Sequence, residues 1–371
     1  MKAKKTKNGL SFFSKFILFL NLLAVMALLI CYLAPHTDPR KTWIVAFFGL
    51  AYPPLLLVNA IFVVWWAFQR SWLAFLSFFC IVIGYNMLQN SIGFHAARDY
   101  RQKELPNAIR LMTYNVHSFK KYGSKNDITT KHEILDIIRT EQPDILGMQE
   151  FYNRYKGEYA LIDSVKNILN AKFYFEAFNN ANNFEEYGMV IYSKYPIVNH
   201  GIVAISSEST LNQCIYVDVK KGKQIIRFYS VHLRSIGFDQ EDYQTFGGES
   251  KQGYEVQSYK RIAGKLKQAF LKRAAQVDLI KKHAAQCPYP FVISGDFNDT
   301  PSSYAVNTML IGLKNAFREK GSGLGRTYNG DFPNYQIDYI MPTRHFKVLD
   351  YGVIEKKLSD HYPVYSDLLL N

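Results

Sequence analysis

The side chains with the most chemistry in them fall in two short stretches, Gly295-Asp296-Phe297-Asn298 and, further on, Ser359-Asp360-His361. Acid, amide and imidazole groups together suit hydrolysis of a phosphate ester. That reaction needs a hard divalent cation held by oxygen ligands, a group to take a proton from water, and positive charge aimed at the phosphate. The elements that would carry these groups read as buried strands. The run from Pro290 to Ile293 is short, β-branched or aromatic, and stopped by Ser294 and Gly295. Asp296 and Asn298 therefore emerge just past a strand end, where loops commonly host chemistry.

A lone Gly-Asp-Phe-Asn segment is equally well a turn in which the Asp side chain bonds the backbone. The pattern recurs, however. The stretch from Arg110 to Asn115 ends on an amide, that from Pro143 to Glu150 on a carboxylate, and that from Phe228 to His232 on an imidazole, while Gln336 to Ile340 carries Asp338 inside an apolar run. Turn chemistry does not account for so many strand-end groups of complementary type.

In order, TYNVHSF, PDILGMQE, YGMVIYSKYPI, SVHL, SGDFNDTP, QIDYIM and SDHYPV resemble the successive motifs of the endonuclease/exonuclease/phosphatase superfamily, from about Ile109 to the C-terminus. The resemblance implies a deoxyribonuclease I-like α/β fold: two packed mixed β-sheets flanked by helices in a four-layer α/β/β/α sandwich. It implies a hydrolase of phosphoric esters using Mg2+ or Mn2+, with Glu150 as the first metal ligand, Asn115 beside it and Asp360 as a second acid. Asp296 and Asn298 would orient and activate the attacking water. His361, turned by Asp338, would carry positive charge toward the phosphate, and His232 would contact the phosphate and assist the leaving group. The roles of the two histidines and Asp296 are interchangeable at this level, and His117 is a further candidate to line the pocket. Superfamily members cut DNA, RNA, inositol phosphates and sphingomyelin with one site, so fold does not name the substrate. His232 stands where abasic-site endonucleases generally carry Tyr, which points away from DNA repair. The substrate classes that remain are a lipid-headgroup phosphate ester and extracytoplasmic nucleic acid. A silent membrane scaffold would have no use for the full acid, amide and imidazole set, and no protein partner is identifiable.

The N-terminal third is a different kind of protein. Residues 1–105 hold eleven Lys and Arg against three acids, whereas residues 106–371 hold thirty-three against twenty-eight. Phe16 to Leu33 has Asn21 as its one polar residue, and Trp43 to Phe68 and Trp72 to Leu88 carry no charge. A bilayer core of about 30 Å takes about 20 apolar residues in a helix, so each stretch is a candidate span. Their length and number argue against a cleaved signal peptide led by Lys2, Lys4, Lys5 and Lys7. The expectation is a membrane domain over residues 1–94 with about three transmembrane helices, a linker over 95–107, and a catalytic domain over 108–371. Trp43, Trp65, Trp66 and Trp72 fall near span ends, as interfacial anchors do. Flanking cations tie, with Lys2, Lys4, Lys5, Lys7, Lys15 and Arg70 on one side and Arg40, Lys41, Arg98, Arg101, Lys103 and Arg110 on the other. The first helix usually sets topology, so the chain reads as a multi-pass cell-membrane protein with its catalytic domain outside the cytoplasm.

Cys31 and Cys80 lie in the apolar stretches as small apolar side chains, and Cys214 and Cys287 read as two buried free thiols, with one disulfide as the alternative in an oxidising compartment. In the catalytic part, helices are expected near Lys131 to Thr140 and Tyr159 to Leu169, with a hairpin of Tyr187 to Tyr192 and the strand from Ile197. The polar segment Ile236 to Tyr259 leads into a helix of roughly Ser258 to Ala285. Its Ile262, Leu266, Phe270, Val277 and Ile280 form an apolar face, and its basic face is either solvated or in contact with anions.

Overall fold

The computed structural model describes residues 10–96, 105, 107–120, 128–206, 211–246, 255–330 and 333–371. Several cations in the flank tally (Lys2, Lys4, Lys5, Lys7, Arg98, Arg101 and Lys103) and most of the expected linker lie outside these residues.

Helix α1 (Phe12–Cys31) starts at Ser11, whose hydroxyl accepts from the Ser14 N–H at 3.1 Å. The second apolar stretch is two helices, α2 (Ile44–Leu50) and α3 (Tyr52–Phe68), bent by 64°. Pro53 and Pro54 cause the break, since they supply no N–H to the carbonyls four residues earlier. The third stretch is likewise α4 (Ala74–Ile83) and α5 (Tyr85–Ser91), bent by 70°. Here the Tyr32 ring fills the space beside Gly84, where a Cβ would meet it at 2.1 Å, and the Tyr32 hydroxyl bonds the Cys80 carbonyl at 3.1 Å. The expectation of about three transmembrane helices is therefore corrected. Among the described residues, one helical segment, Phe12–His36, is by itself long and apolar enough to cross a membrane, and the other two stretches are broken pairs. The bundle is tied internally by a buried polar network. Asn21 donates to Ser77 Oγ at 2.6 Å and accepts from Trp66 Nε1 at 2.9 Å, and Ser77 donates to Asn59 Oδ1 at 3.0 Å. Trp66 is thus buried within the bundle rather than serving as an interfacial anchor.

Strand β1 (Gly93–Phe94) pairs with β10 (Ser322–Gly323), tying the chain just before the expected linker to the catalytic part. That part is built on two sheets. The first has six strands in the order β12 (Phe346–Val353), β13 (Val364–Leu370), β2 (Ile109–Asn115), β3 (Ile145–Arg154), β5 (Glu185–Ser193), β4 (Phe173–Ala181). The second has five, in the order β11 (Asp338–Pro342), β9 (Phe291–Asp296), β8 (Gln224–His232), β7 (Cys214–Lys221), β6 (Ile197–Val203). Both sheets mix parallel and antiparallel pairs.

Alternation along the strands builds the layers. Ile109, Leu111, Ile145 and Ile191 meet Val217, Phe228, Val292 and Ile340 in the core between the sheets. Met112, Tyr114, Leu146 and Met148 point the other way, onto α6 (Ile128–Glu141) and α7 (Leu161–Leu169). Tyr229, Val231, Ile293 and Tyr339 pack on α9 (Glu255–Ala284) and α10 (Tyr304–Leu310), while the shorter α8 (Gln240–Phe246) and α11 (Ala316–Lys320) complete the helices. The four-layer α/β/β/α arrangement is the expected one. The expected hairpin after Tyr192 is not formed: β5 pairs with β3 and β4, and β6 pairs with β7. Tyr195 and Ile197 pack into the core between the sheets, so the chain crosses from one sheet to the other at Pro196.

The apolar face of α9 is buried as expected, Ile262, Leu266 and Phe270 lying against Ala46, Phe47 and Leu50 of α2. Several of its cations are engaged within the chain. Arg261 and Lys265 pair with Asp239 and Asp242, Lys267 lies over the Trp43 ring, and Lys281 bonds the Met309 carbonyl. All four cysteines are free, with Cys287 only partly buried.

Candidate active site

Strand register brings the second sheet's contribution into one row. His232, the last residue of β8, stands opposite Asp296, the last of β9, and Asp296 stands opposite Asp338, the first of β11. Gly295 makes the row possible. Its φ is +139°, and a Cβ there would lie 2.0 Å from the Val231 carbonyl oxygen, so only glycine allows β8 and β9 to approach so closely. Asn298, also at positive φ (53°), folds back so that its N–H bonds Asp296 Oδ1 at 2.7 Å and its amide bonds Oδ2 at 3.0 Å.

The first sheet supplies Asn115 at the end of β2 and Glu150 from β3. Glu150 is not at a strand end as the sequence pattern suggested. It sits inside β3 at a β-bulge between Met148 and Phe151, with φ of +50°. A bulge re-aims a side chain without ending the strand, and here it directs the carboxylate to the rim. Asn115 Nδ2 bridges the sheets, 3.3 Å from Glu150 Oε1 and 3.1 Å from Asp296 Oδ2. Behind it, Gln149 donates to Thr113 Oγ1 and, across the sheets, to Ser230 Oγ at 2.8 Å.

The segment before β13 brings the remaining groups. Ser359 donates to the Asn115 carbonyl at 2.8 Å, and His361 Nδ1–H donates to Asp338 Oδ2 at 2.9 Å. His361 Nε2 lies 3.6 Å and His232 Nε2 3.5 Å from the same Asp296 Oδ2. His232 Nδ1–H is taken by the Leu211 carbonyl at 3.0 Å, which leaves its buried Nε2 without a hydrogen-bond partner and facing the acids. His117 Nδ1 lies 3.5 Å from Glu150 Oε2 and 3.6 Å from Asp360 Oδ1, so those two carboxylates converge on one point. All eight expected site residues thus gather in one place, with His117 beside them. Sequence reasoning missed Gln149, Ser359 as a tether, and Thr327, whose hydroxyl accepts from the Asp338 N–H at 3.0 Å. Gln149 and Ser359 lie inside the quoted motifs, whereas Thr327 carried no signal.

The charges follow from this packing. Burial opposes ionisation of Glu150, but its contact with His117 and the nearby His232 and His361 hold its pKa down at about 2. Burial raises Asp296, and neighbouring Asp338 adds to the effect against the pull of His361 and His232. Burial also works against a charged His361, yet Asp338, Asp296 and Asp360 raise its pKa well above the usual value. The site therefore holds an ionised Glu150, a cationic His361 and a comparatively basic Asp296.

Among the described residues, two groups of side chains are candidates to hold a cation. Asp296, Asp338 and His361 offer ligand atoms within 4.8 Å of one another, with Asp338 Oδ2 and His361 Nδ1 joined by a hydrogen bond. Glu150 and Asp360, converging beside Asn115, are the oxygen-rich set and fit a hard divalent ion better.

A profile of the endonuclease/exonuclease/phosphatase family matches residues 112–361, and one described as a domain of unknown function matches residues 14–91. No curated protein matches the chain. Among solved structures, the chain is similar to an endonuclease/exonuclease/phosphatase from Beutenbergia cavernae (18% identity, TM-score 0.53, covering 71% of this chain and 72% of that one). It is also similar to a family protein from Bacteroides thetaiotaomicron (17%, 0.51, 72% and 99%) and to the human Nocturnin catalytic domain with bound sulfate (16%, 0.51, 72% and 97%). At these identities the likeness shows the fold alone.

Proposed function

Because the chain belongs to the endonuclease/exonuclease/phosphatase family, we propose that it is a membrane-attached, divalent-metal-dependent hydrolase of a phosphate ester, mono- or diester, presented near the bilayer. Family members are hydrolases of phosphate esters, and the observation that carries the reading to this chain is the pair of histidine Nε2 atoms aimed at Asp296 Oδ2 from opposite neighbours.

Glu150, Asp360 and Asn115 would hold Mg2+ or Mn2+, which when bound would neutralise phosphate charge. Asp296, made more basic by burial and oriented by Asn298 and Asn115, accepts the proton of the attacking water. His361, kept cationic by Asp338, places positive charge where the phosphoryl group builds negative charge. His232, its Nδ1 proton fixed on the Leu211 carbonyl, offers Nε2 to the phosphate or leaving oxygen.

Membrane attachment rests on the apolar Phe12–His36 segment. With the Lys-rich start in the cytoplasm, one crossing, or three if each bent pair crosses, would leave the catalytic part outside it. The substrate is a lipid-headgroup ester or a nucleic acid met on that side. The test is turnover of methyl 4-nitrophenyl phosphate by the full-length protein with Mg2+ or Mn2+. Hydrolysis abolished by chelator supports the reading, and hydrolysis indifferent to chelator and to Glu150→Gln overturns it.

A further inference from the structure

Helix α2 ends with a problem that the catalytic part solves. In a continuous helix the carbonyls of Gly49 and Leu50 would accept from residues 53 and 54, and both of those are proline. Their partners come from far along the chain. Ser302 Oγ donates to the Gly49 carbonyl at 2.7 Å, and the Tyr335 hydroxyl donates to the Leu50 carbonyl at 3.1 Å. Gly49 lets the helix come this near, since a Cβ there would lie 2.7 Å from Ala34 Cβ and 3.2 Å from the Ser302 carbonyl oxygen. Phe47 meets Phe270 edge-on at 5.4 Å, and Arg40, just before the helix, pairs with Asp278 at 2.7 Å. Both ends of α2 are thus fixed to the catalytic part.

This docking carries Leu50 into the wall of the catalytic cleft. A cavity of about 190 Å³ has Glu150, Asp296, Asp360 and His361 at its floor, and Leu50, Ile236, Phe238, Leu266 and Phe270 line it as well. Tyr335, held by the Leu50 carbonyl, lines it too. We propose that this wall is a subsite for an apolar chain attached to the scissile phosphate, that the ligand is a membrane lipid phosphate ester, and that the N-terminal helical segment completes the subsite. The inference rests on the phosphoesterase reading and adds the chemistry of the substrate's other half. Apolar lining next to a phosphate-type floor suits an amphiphile. Leu50 ends α2, which packs on α1 and α3, and helices α1, α3 and α4 expose Phe16, Phe19, Leu57, Ile61, Phe78 and Phe79. A polyanion would find few cations here, because Arg273, the arginine of the lining, is buried with Nη1 on Asp299 and Nε on the Arg234 carbonyl, which leaves Nη2 as its nitrogen without a partner among the described residues, and Arg261 and Lys265 are paired with acids.

The test uses full-length protein in nanodiscs and a series of non-hydrolysable alkylphosphonates from methyl to hexyl, with empty nanodiscs as the partition control. Binding is read by calorimetry, and turnover of methyl 4-nitrophenyl phosphate is measured on the same preparation. Affinity is expected to rise about fourfold per methylene, and Leu50→Asp and Phe270→Ser are each expected to flatten that slope. Gly49→Leu, which pushes α2 away, should flatten it as well. Affinity independent of chain length, absence of binding by every phosphonate, or tighter binding of a dinucleotide than of hexylphosphonate overturns the subsite. A flat series with normal turnover removes only the subsite, whereas a rising series without turnover supports it and removes the phosphoesterase reading.

Discussion

His232 and Asp296 face each other on the parallel β8–β9 ladder, with His232 Nε2 3.5 Å from Asp296 Oδ2. The pairing depends on Gly295, because any side chain there runs into the Val231 backbone. Gly295→Ala is expected to destabilise the fold by about 2 kcal/mol or more, from strained φ and steric conflict together, and to lower turnover in the fraction that folds. Thermal unfolding and a rate normalised to folded protein check both effects. An unchanged unfolding midpoint would remove the close-approach argument.

Glu150 carries the bulge-directed carboxylate, held ionised at neutral pH. Glu150→Gln keeps the shape and removes the charge. Cation affinity and turnover should each drop by roughly a hundredfold, as expected for loss of an anionic oxygen ligand. Calorimetric Mg2+ or Mn2+ titration reads the first effect independently of catalysis, and wild-type affinity in the variant would refute the ligand assignment.

His361 is oriented by Asp338 at 2.9 Å and faces Asp296. Asp296→Asn and His361→Ala should each reduce kcat by about a hundredfold or more while the protein stays folded. Asp338→Asn should produce a smaller loss, because it perturbs the imidazole's orientation and charge and removes no group that touches substrate. A Asp338→Asn loss as large as that of His361→Ala would place Asp338 in direct contact with the reacting groups.

Far from the site, His283 Nδ1 bonds the Tyr229 hydroxyl at 3.0 Å beside Tyr216. Burial first, and then the Arg227 charge, lower its pKa from 6.5. The unfolded chain therefore binds this proton more readily than the folded one. Stability falls as pH drops through the unfolded value toward the lower folded value, and it is unaffected by this group above that window. His283→Gln should flatten that acid-side decline in unfolding midpoint, and an unaltered decline would exclude His283 as its source.

The side of the membrane is decided by fusing alkaline phosphatase or green fluorescent protein after Asn371. Phosphatase activity with a dark fluorescent fusion is expected for an outward catalytic part. A bright fluorescent fusion without phosphatase activity would place the domain in the cytoplasm and favour phosphoinositide-like or nucleotide substrates.

Asp296, His232 and Asn115 were legible from the sequence because local chemistry encodes them: a short β-branched run ends, a glycine or polar residue follows, and the side chain just past the pleat is exposed to a ligand. The apolar N-terminal third and the Pro53-Pro54 interruption were legible for the same reason. Register was not, since the row of His232, Asp296 and Asp338 arises from pairing between strands distant in sequence. The bulge at Glu150 depends on where β5 aligns against β3, and the convergence of Glu150 and Asp360 on His117 depends on two sheets closing over one core. Likewise, two prolines announce that the Gly49 and Leu50 carbonyls lose their helical donors. Only the tertiary structure decides that Ser302 and Tyr335 replace them, because burial makes satisfying those carbonyls obligatory and packing selects which distant hydroxyls can reach.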